Sequence, residues 1–313
     1  MADLAGCIAD FFQQQPAVIA WGVAAPEPVA CADRFEQWLA AGRHGDMAYL
    51  EKHREVRFEP RNFFPVAQSI VLFLHRCPER ILAPGVLTEA LVSAHARGPD
   101  YHHVMKKLIH ELAATLAETF RDLKLKPFVD SAPVAERELA VRAGLGWIAK
   151  NSMLIHPRYG SQVFIGGFFL DRPLPPAPTA VPDGCGACRT CIDACPTRAI
   201  DDNRQIDATR CISYLTIEKK GNIEATLRGR MGNRIFGCDT CQQVCPWNRD
   251  HLAGALPEGS KFDRTLEDWQ RILQPGGGFK RLFRKTPLYR AGRARMLRNV
   301  LIARENREEH AIW

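Results

Sequence analysis

The sequence predicts a multidomain protein of mixed α/β and α+β fold. Three features point there: strand-like apolar runs alternating with helical patterns over residues 1–170, a proline-rich break, and a dense group of cysteines beyond it. The apolar runs Ala17–Val23, Ile70–Leu74, Pro127–Val129 and Val163–Leu170 read as strands. Between them, Asp100 is placed to cap a helix whose apolar face is Val104, Leu108, Leu112, Leu116 and Phe120. A shorter helix is expected from Pro133 to Gly144. The stretch 171–184 carries five prolines, which neither donate to a ladder nor continue a helix, so a first α/β domain should end at 170. The cysteine-rich domain then spans 185–255, and 256–313 follows as a basic helical segment broken at Pro275–Gly278, resembling a solenoid cut short.

Composition narrows the class. With 46% hydrophobic and 25% charged residues among 313, the chain is globular rather than disordered. No apolar run approaches the ~20 residues that span a bilayer. The N-terminus carries Asp3 and Asp10 with no basic segment before an apolar core, so a cytoplasmic protein without a membrane partner is expected. Net charge is +7, but residues 280–307 hold ten Lys or Arg against the single acid Glu305. Such a segment either meets a polyanion or is a solvated helix face.

Eleven cysteines in a chain of this kind suggest metal binding before disulfides. Cys185, Cys188, Cys191 and Cys195 form C-x2-C-x2-C-x3-C-P; Cys238, Cys241 and Cys245-Pro246 form a shorter run, with Cys211 between. In the two-cluster ferredoxin arrangement the last cysteine of each run serves the other cluster. That rule assigns Cys185, Cys188, Cys191 and Cys245 to one [4Fe–4S] centre and Cys195, Cys211, Cys238 and Cys241 to the second. Tetrahedral zinc is the competing reading, against which three cysteines at two-residue gaps followed by Cys-Pro weigh. Cys7, Cys31 and Cys77 stand apart as small apolar residues.

Other motifs are weaker. Gly144-Leu-Gly146-Trp-Ile-Ala149 matches a dinucleotide fingerprint but follows helical sequence instead of a strand. Asp100-Tyr-His102 begins like a cobalamin-binding motif, yet Met105 stands where glycine belongs. Asp130 ends a strand just before a helix. It reads as a helix cap or as an acid whose carboxyl burial would raise towards neutrality. By position alone the cap is favoured.

Several segments together resemble the epoxyqueuosine reductase family. They are Gly98-Pro-Asp-Tyr-His102, Phe128-Val-Asp-Ser-Ala-Pro133 with Glu136-Arg137, Ala143-Gly-Leu-Gly-Trp147, Lys150-Asn-Ser152 and Gly160-Ser161. The first cysteine run, Cys211–Glu218 and Met231–Asn248 continue the likeness. It runs from about residue 40 to the end. The resemblance implies cobalamin in the N-terminal domain and a ferredoxin-like domain whose two [4Fe–4S] clusters pass on electrons from an external donor. It also implies HEAT-like helices that help hold a tRNA anticodon arm, in a monomer. The implied reaction reduces the epoxide of epoxyqueuosine at the wobble position to queuosine.

The same resemblance makes Asp130 the proton donor, reversing the cap preference. It places Arg57, Ser93, Asp130, Ser161, Ile165, Ser213 and Asp239 near cobalamin, several by backbone. Lys219, Lys220, Lys280, Arg281, Arg295 and Arg298 become contacts to tRNA phosphate. The chain departs from the pattern at Ala149, at His95, and at Trp313, where relatives commonly continue. The alternatives are a reductive dehalogenase-like corrinoid iron–sulfur enzyme acting on a small molecule, and a two-cluster electron carrier with no activity of its own.

Overall fold

A computed structural model describes residues 3–177 and 180–309. Residues 178 and 179 of the expected break and 310–313 of the C-terminal segment lie outside the described residues. The central sheet is four-stranded in the order β1 (Val18–Ala24), β2 (Ser69–Arg76), β7 (Val163–Leu170), β4 (Leu125–Val129). All four expected strands are present. Every pairing is antiparallel, however, so the alternation of strands and helices reported the layers correctly but not the strand directions. The reason lies in β2, whose Ile70–Leu74 is wholly buried. Val71 and Phe73 face helices α1 (Leu4–Gln13) and α2 (Tyr101–Thr119), packing on Ile8, Phe12, Met105 and Leu112. Ile70, Leu72 and Leu74 face the other way, onto Leu139 and Ala140 of α3 (Glu136–Arg142). A strand covered on both faces reads as a continuous apolar run whichever way its neighbours point.

Asp100 caps α2 as expected, its carboxylate accepting from the His102 amide at 3.1 Å. The helix lies tight on the sheet because Gly166 of β7 has no side chain. A Cβ there would stand 2.4 Å from Met105 Cε. Val129 pairs with Gly166 and Leu74 with Ile165. Asp130, Val163–Ile165 and the first turn of α2 therefore meet at one rim of the sheet, where Val163, Phe164 and Ile165 are only half-buried.

Two short strands, β5 (Trp147–Ile148) and β6 (Leu154–Ile155), form a hairpin. Gly144 and Gly146 take left-handed backbone at its entry, and a Cβ on Gly146 would clash with the Ile155 carbonyl. This turn accounts for the fingerprint-like glycines without a dinucleotide.

The segments at either side of the cysteines share one core. The parallel pair β3 (Leu91–Val92) and β8 (Arg234–Phe236) packs with Trp269 of α5 (Leu266–Leu273) and Phe283 of α6 (Phe279–Phe283). Leu288 of α7 (Leu288–Ala291) and Met296 and Val300 of α8 (Arg293–Glu309) complete it. The basic segment is thus helical as expected, but instead of standing as a separate solenoid turn it closes a core begun by residues 90–96. Boundaries at 185 and 256 do not separate independent cores. Among the described residues no helix is long and apolar enough to cross a membrane.

Candidate functional site

The eight grouped cysteines come together as two sets of four. Cys245, Cys185 and Cys188 all act on Cys191, and with burial they push its thiol up. Burial pushes Cys211 up to about 11 and raises Cys241 well above the ordinary thiol value, with Cys238 and Cys195 adding to both. These neighbours are the ones the crossed assignment groups, except that Cys191 also acts on Cys241. Thiols gathered so closely raise one another, so each set is stable as thiolates only around cations. Among the described residues no three His, Cys, Asp or Glu side chains converge on a point as a single ion requires. Zinc needs its sulfurs about 2.3 Å from one centre, whereas a cubane spreads four thiolates over its iron corners. The donor set fits iron–sulfur clusters.

The loops add polar support that spacing alone did not reveal. A threonine two residues after a cysteine meets its sulfur three times: Thr190 with Cys188 at 3.3 Å, Thr197 with Cys195 at 3.6 Å and Thr240 with Cys238 at 3.4 Å. The recurring Cys-x-Thr was the available signal. Lys150 Nζ donates to the carbonyls of Gly186 and Cys188, both at 2.8 Å. Hydrogen bonds from Thr190, helped by Lys150, hold the Cys188 thiol below its ordinary value.

Asp130 stands at the rim of the sheet, directly after β4. Its Oδ2 accepts from Tyr101 Oη at 3.0 Å and meets His102 Nε2 at 3.1 Å. Its side chain is 52% exposed in the open cleft, though protein surrounds the carboxyl closely. Crowding alone would raise it, but the bonds from His102 and Tyr101 and the charge of Arg290 hold it below the usual carboxylate range. The expectation of a raised carboxyl is therefore wrong for Asp130, because its neighbours are donors. The raised carboxyl is Glu136, pushed by burial and then by Asp130 up to about 8. Neither Asp130 nor Glu136 caps α3, whose N-cap position is Ala135 and bears no side-chain bond.

The residues assigned to a corrinoid divide in two. Arg57, beside Phe35 and donating to the Val134 carbonyl at 3.1 Å, has a buried Nε with no hydrogen-bond partner. It acts on Glu136, as Asp130 does, and Tyr49, between Asp130 and Glu218, is pushed up to about 12 chiefly by burial. Ile165 is half-buried at the rim, and the Ser213 amide points at Cys211 sulfur. The hydroxyls of the serines are otherwise engaged. Ser93 Oγ donates to Asp239, whose other oxygen takes the Ala94 amide at 2.8 Å. Ser161 Oγ is bound by Gln242 and Asn248, both at 2.8 Å. The side chains of Ser93, Asp239 and Ser161 thus tie the cluster loops to the sheet, and the Ser93 and Ser161 amides donate to the Phe236 carbonyl and to Asn248, so these two serines offer a cofactor only main-chain carbonyls. A recess of 30 Å³ lies among Ser93, Gly237, Cys238 and Asp239. Arg57's unpartnered nitrogen and the half-uncovered rim of β7 fit a large, amide-fringed ligand laid over the cleft.

The basic residues also divide. Arg298 spends all five donors on the Leu215, Lys219 and Gly221 carbonyls and on Asn299. Arg295 donates to the Ile217 carbonyl. Both close the C-terminal end of α4 (Ile212–Ile217), which corrects the assignment of Arg298 to phosphate and removes a donor from Arg295. Lys219 faces Asp46 at 3.5 Å, and Lys220 is exposed. Lys280 and Arg281, with Arg284, Arg293, Phe279 and Tyr289, line an open cavity of about 930 Å³ that has no acidic residue. Arg290, which the sequence did not single out, leaves this cavity's helix α7 and reaches His102.

Residues 57–131 match the family described as epoxyqueuosine reductase QueG, DUF1730. Residues 184–248 match the 4Fe-4S double cluster binding domain, so the chain carries that domain. An epoxyqueuosine reductase of Alicycliphilus denitrificans is 39% identical over 303 residues, covering 91% of this chain and 82% of the relative. That of Pseudomonas aeruginosa is 39% identical over 280 residues, covering 87% and 77%. Among solved structures, an epoxyqueuosine reductase with a tRNA-Tyr epoxyqueuosine-modified stem loop aligns at TM-score 0.86 and 28% identity, over 99% of this chain and 84% of the other. The enzyme of Streptococcus thermophilus aligns at 0.85 and 25%, over 97% and 82%. With its thiol quartets, its acid cleft and relatives of this identity and coverage, the chain belongs to the epoxyqueuosine reductase family, and it is an oxidoreductase.

Proposed function

We propose that this protein reduces the epoxide of epoxyqueuosine at the wobble position of tRNA to the cyclopentene of queuosine, consuming two electrons and two protons. The observation that carries the reading is Asp130 held at the rim by Tyr101 and His102, with buried His95 feeling both Asp130 and Asp239 of the second cysteine loop. Cys185, Cys188, Cys191 and Cys245 hold one cluster, and Cys195, Cys211, Cys238 and Cys241 the other, fed by an external reductant. Arg57, Ile165, Tyr49 and the backbone at Ser93, Ser161, Ser213 and Asp239 cradle cobalamin. When bound, it supplies a cobalt centre able to deliver electrons to carbon. Asp130 then protonates the departing oxygen, since an alkoxide is a poor leaving group without a positioned acid. Lys280 and Arg281 in the acid-free cavity, with Lys220, hold the phosphates of the anticodon arm, where backbone charge gives affinity and the splayed base gives specificity. The enzyme works as a cytoplasmic monomer.

Anaerobic incubation with cobalamin, a strong reductant and epoxyqueuosine-containing tRNA, followed by nucleoside mass analysis, tests the reading. Queuosine should form, and Asp130→Asn should slow its formation by about 10²–10⁴-fold while retaining iron and corrinoid absorbance. Undiminished conversion by Asp130→Asn would remove Asp130 from the chemistry, and absence of any queuosine with wild-type protein would sink the activity.

A further inference from the structure

The cleft contains a proton-bearing group that the reading above leaves idle. His102 is 9% exposed and clamped on four sides. Its Nδ1 lies 2.7 Å from Asp100 Oδ1 and its Nε2 lies 3.1 Å from Asp130 Oδ2. The Tyr101 ring stacks on one face at 4.1 Å and itself rests on Phe164 at 4.2 Å. Arg290 Nη1 is 3.0 Å from Nδ1 and 2.8 Å from Nε2. A nitrogen that close to both ring atoms cannot lie along either lone pair, so the guanidinium covers the other face.

Proton counting follows from these contacts. Ionised carboxylates only accept, and a neutral imidazole carries one N–H. Contacts to Asp100 and Asp130 at once therefore require a second proton, carried on Nε2 or shared with Asp130. Asp100 fixes Nδ1–H, as the orienting carboxylate does in a Ser-His-Asp triad. The other groups facing this pair are His103, whose Nδ1 is 3.6 Å from Asp100 Oδ2 on the solvent side, Glu136 and Tyr49, which act on Asp130, and His95, which feels both Asp130 and His102. Asp130, held low by its donors, stores a proton poorly near neutrality.

We propose that His102, oriented by Asp100, stores the proton that Asp130 passes to the departing oxygen. This rests on the assignment of Asp130 as the acid. In each turnover the Nε2–H bond breaks as an O–H bond forms on Asp130, and the Asp130 proton forms the new O–H bond of the leaving group. A proton from solvent at the rim returns to the 52% exposed Asp130 carboxylate and passes from its Oδ2 back to Nε2, and no electron moves in these steps. Asp100 and His102 are positioning residues, acting through Asp130.

The test uses enzyme reconstituted with clusters and cobalamin. His102→Gln should lower kcat about tenfold or more with KM within about twofold, flatten the alkaline limb of the pH profile, and recover on addition of imidazole. Asp100→Asn keeps an N-cap of equal quality and should move that limb to lower pH. Histidine-selective ¹⁵N spectra of the oxidised protein should show both ring nitrogens of His102 protonated at pH 7 in the wild type but only one in Asp130→Asn. Wild-type kcat and pH profile in His102→Gln would overturn the proposal. So would a loss accompanied by lost corrinoid absorbance and unmoved by imidazole, or an equal loss in Glu136→Gln alone. A fully active Asp130→Asn would instead sink the parent assignment, whereas an inactive Asp130→Asn beside an unaffected His102→Gln sinks only this one.

Discussion

The cluster loops and the acid cleft are built on opposite plans. Each thiol quartet is built on a tight C-x2-C loop, and its supporting threonines sit two residues from the sulfurs they meet. The cleft draws Asp130 from the end of β4, Tyr101 and His102 from the start of α2, and Arg290 from α7, 188 positions from its partner His102. Ligation is encoded by spacing; the protonation of an acid is encoded by packing across the chain. The loops should therefore fail all at once, and the cleft by degrees.

The largest effect is expected at Cys211, which stands alone between the two runs. If it completes the second quartet, Cys211→Ala should drop iron from about eight to about four per chain and abolish turnover, whereas Asp130→Asn keeps the iron and loses only turnover. Iron analysis and electron paramagnetic resonance of the reduced protein separate the two. Full iron content in Cys211→Ala would break the crossed assignment.

This contrast also explains what could be read from the sequence. The four strands, the Asp100 cap and the quartets follow from short-range patterns that residues 17–23, 70–74 and 185–245 carry openly. Strand direction did not, because Ile70–Leu74 is covered on both faces and no periodicity survives to tell parallel from antiparallel. The environment of Asp130 was read backwards. A carboxyl at a strand end looks desolvated in one dimension, while its donors arrive from α2. The basic segment misled for the same reason. Charge density cannot distinguish Lys280 and Arg281, which line a cavity free of acids, from Arg298, whose donors all go to carbonyls and Asn299.

That last distinction gives two intermediate effects. Arg298 supports the cluster lobe from outside, closing the helix that begins at Cys211. Arg298→Ala leaves partly buried carbonyls unpaired and should destabilise by about 1–3 kcal/mol, seen as a lower denaturation midpoint, with the salt dependence of tRNA binding unchanged. Lys280→Ala with Arg281→Ala should do the reverse. Stability holds, while tRNA affinity falls several-fold and the slope of log K against log salt shrinks by up to about 2. A midpoint shift in the double variant without a change of slope would erase the division between tied and available cations.

The smallest effect tests the cleft through stability alone. Burial raises Glu136 from 4.5 to about 8, so the folded protein holds this proton more tightly than the unfolded chain. Below pH 4.5 both states are protonated and the carboxyl costs nothing. As pH rises towards 8 the unfolded chain ionises first, and stability is lost across that interval. Glu136→Gln cannot titrate. The difference in melting temperature, variant minus wild type, should therefore grow from pH 4.5 to 8 and then level. Asp130, held low, works in the opposite sense: its contribution is present above its ordinary value and is lost only as pH falls below it. A difference that shrinks with rising pH would mean that Glu136 is already ionised in the folded state, and that the cleft holds its charge in a place other than Asp130.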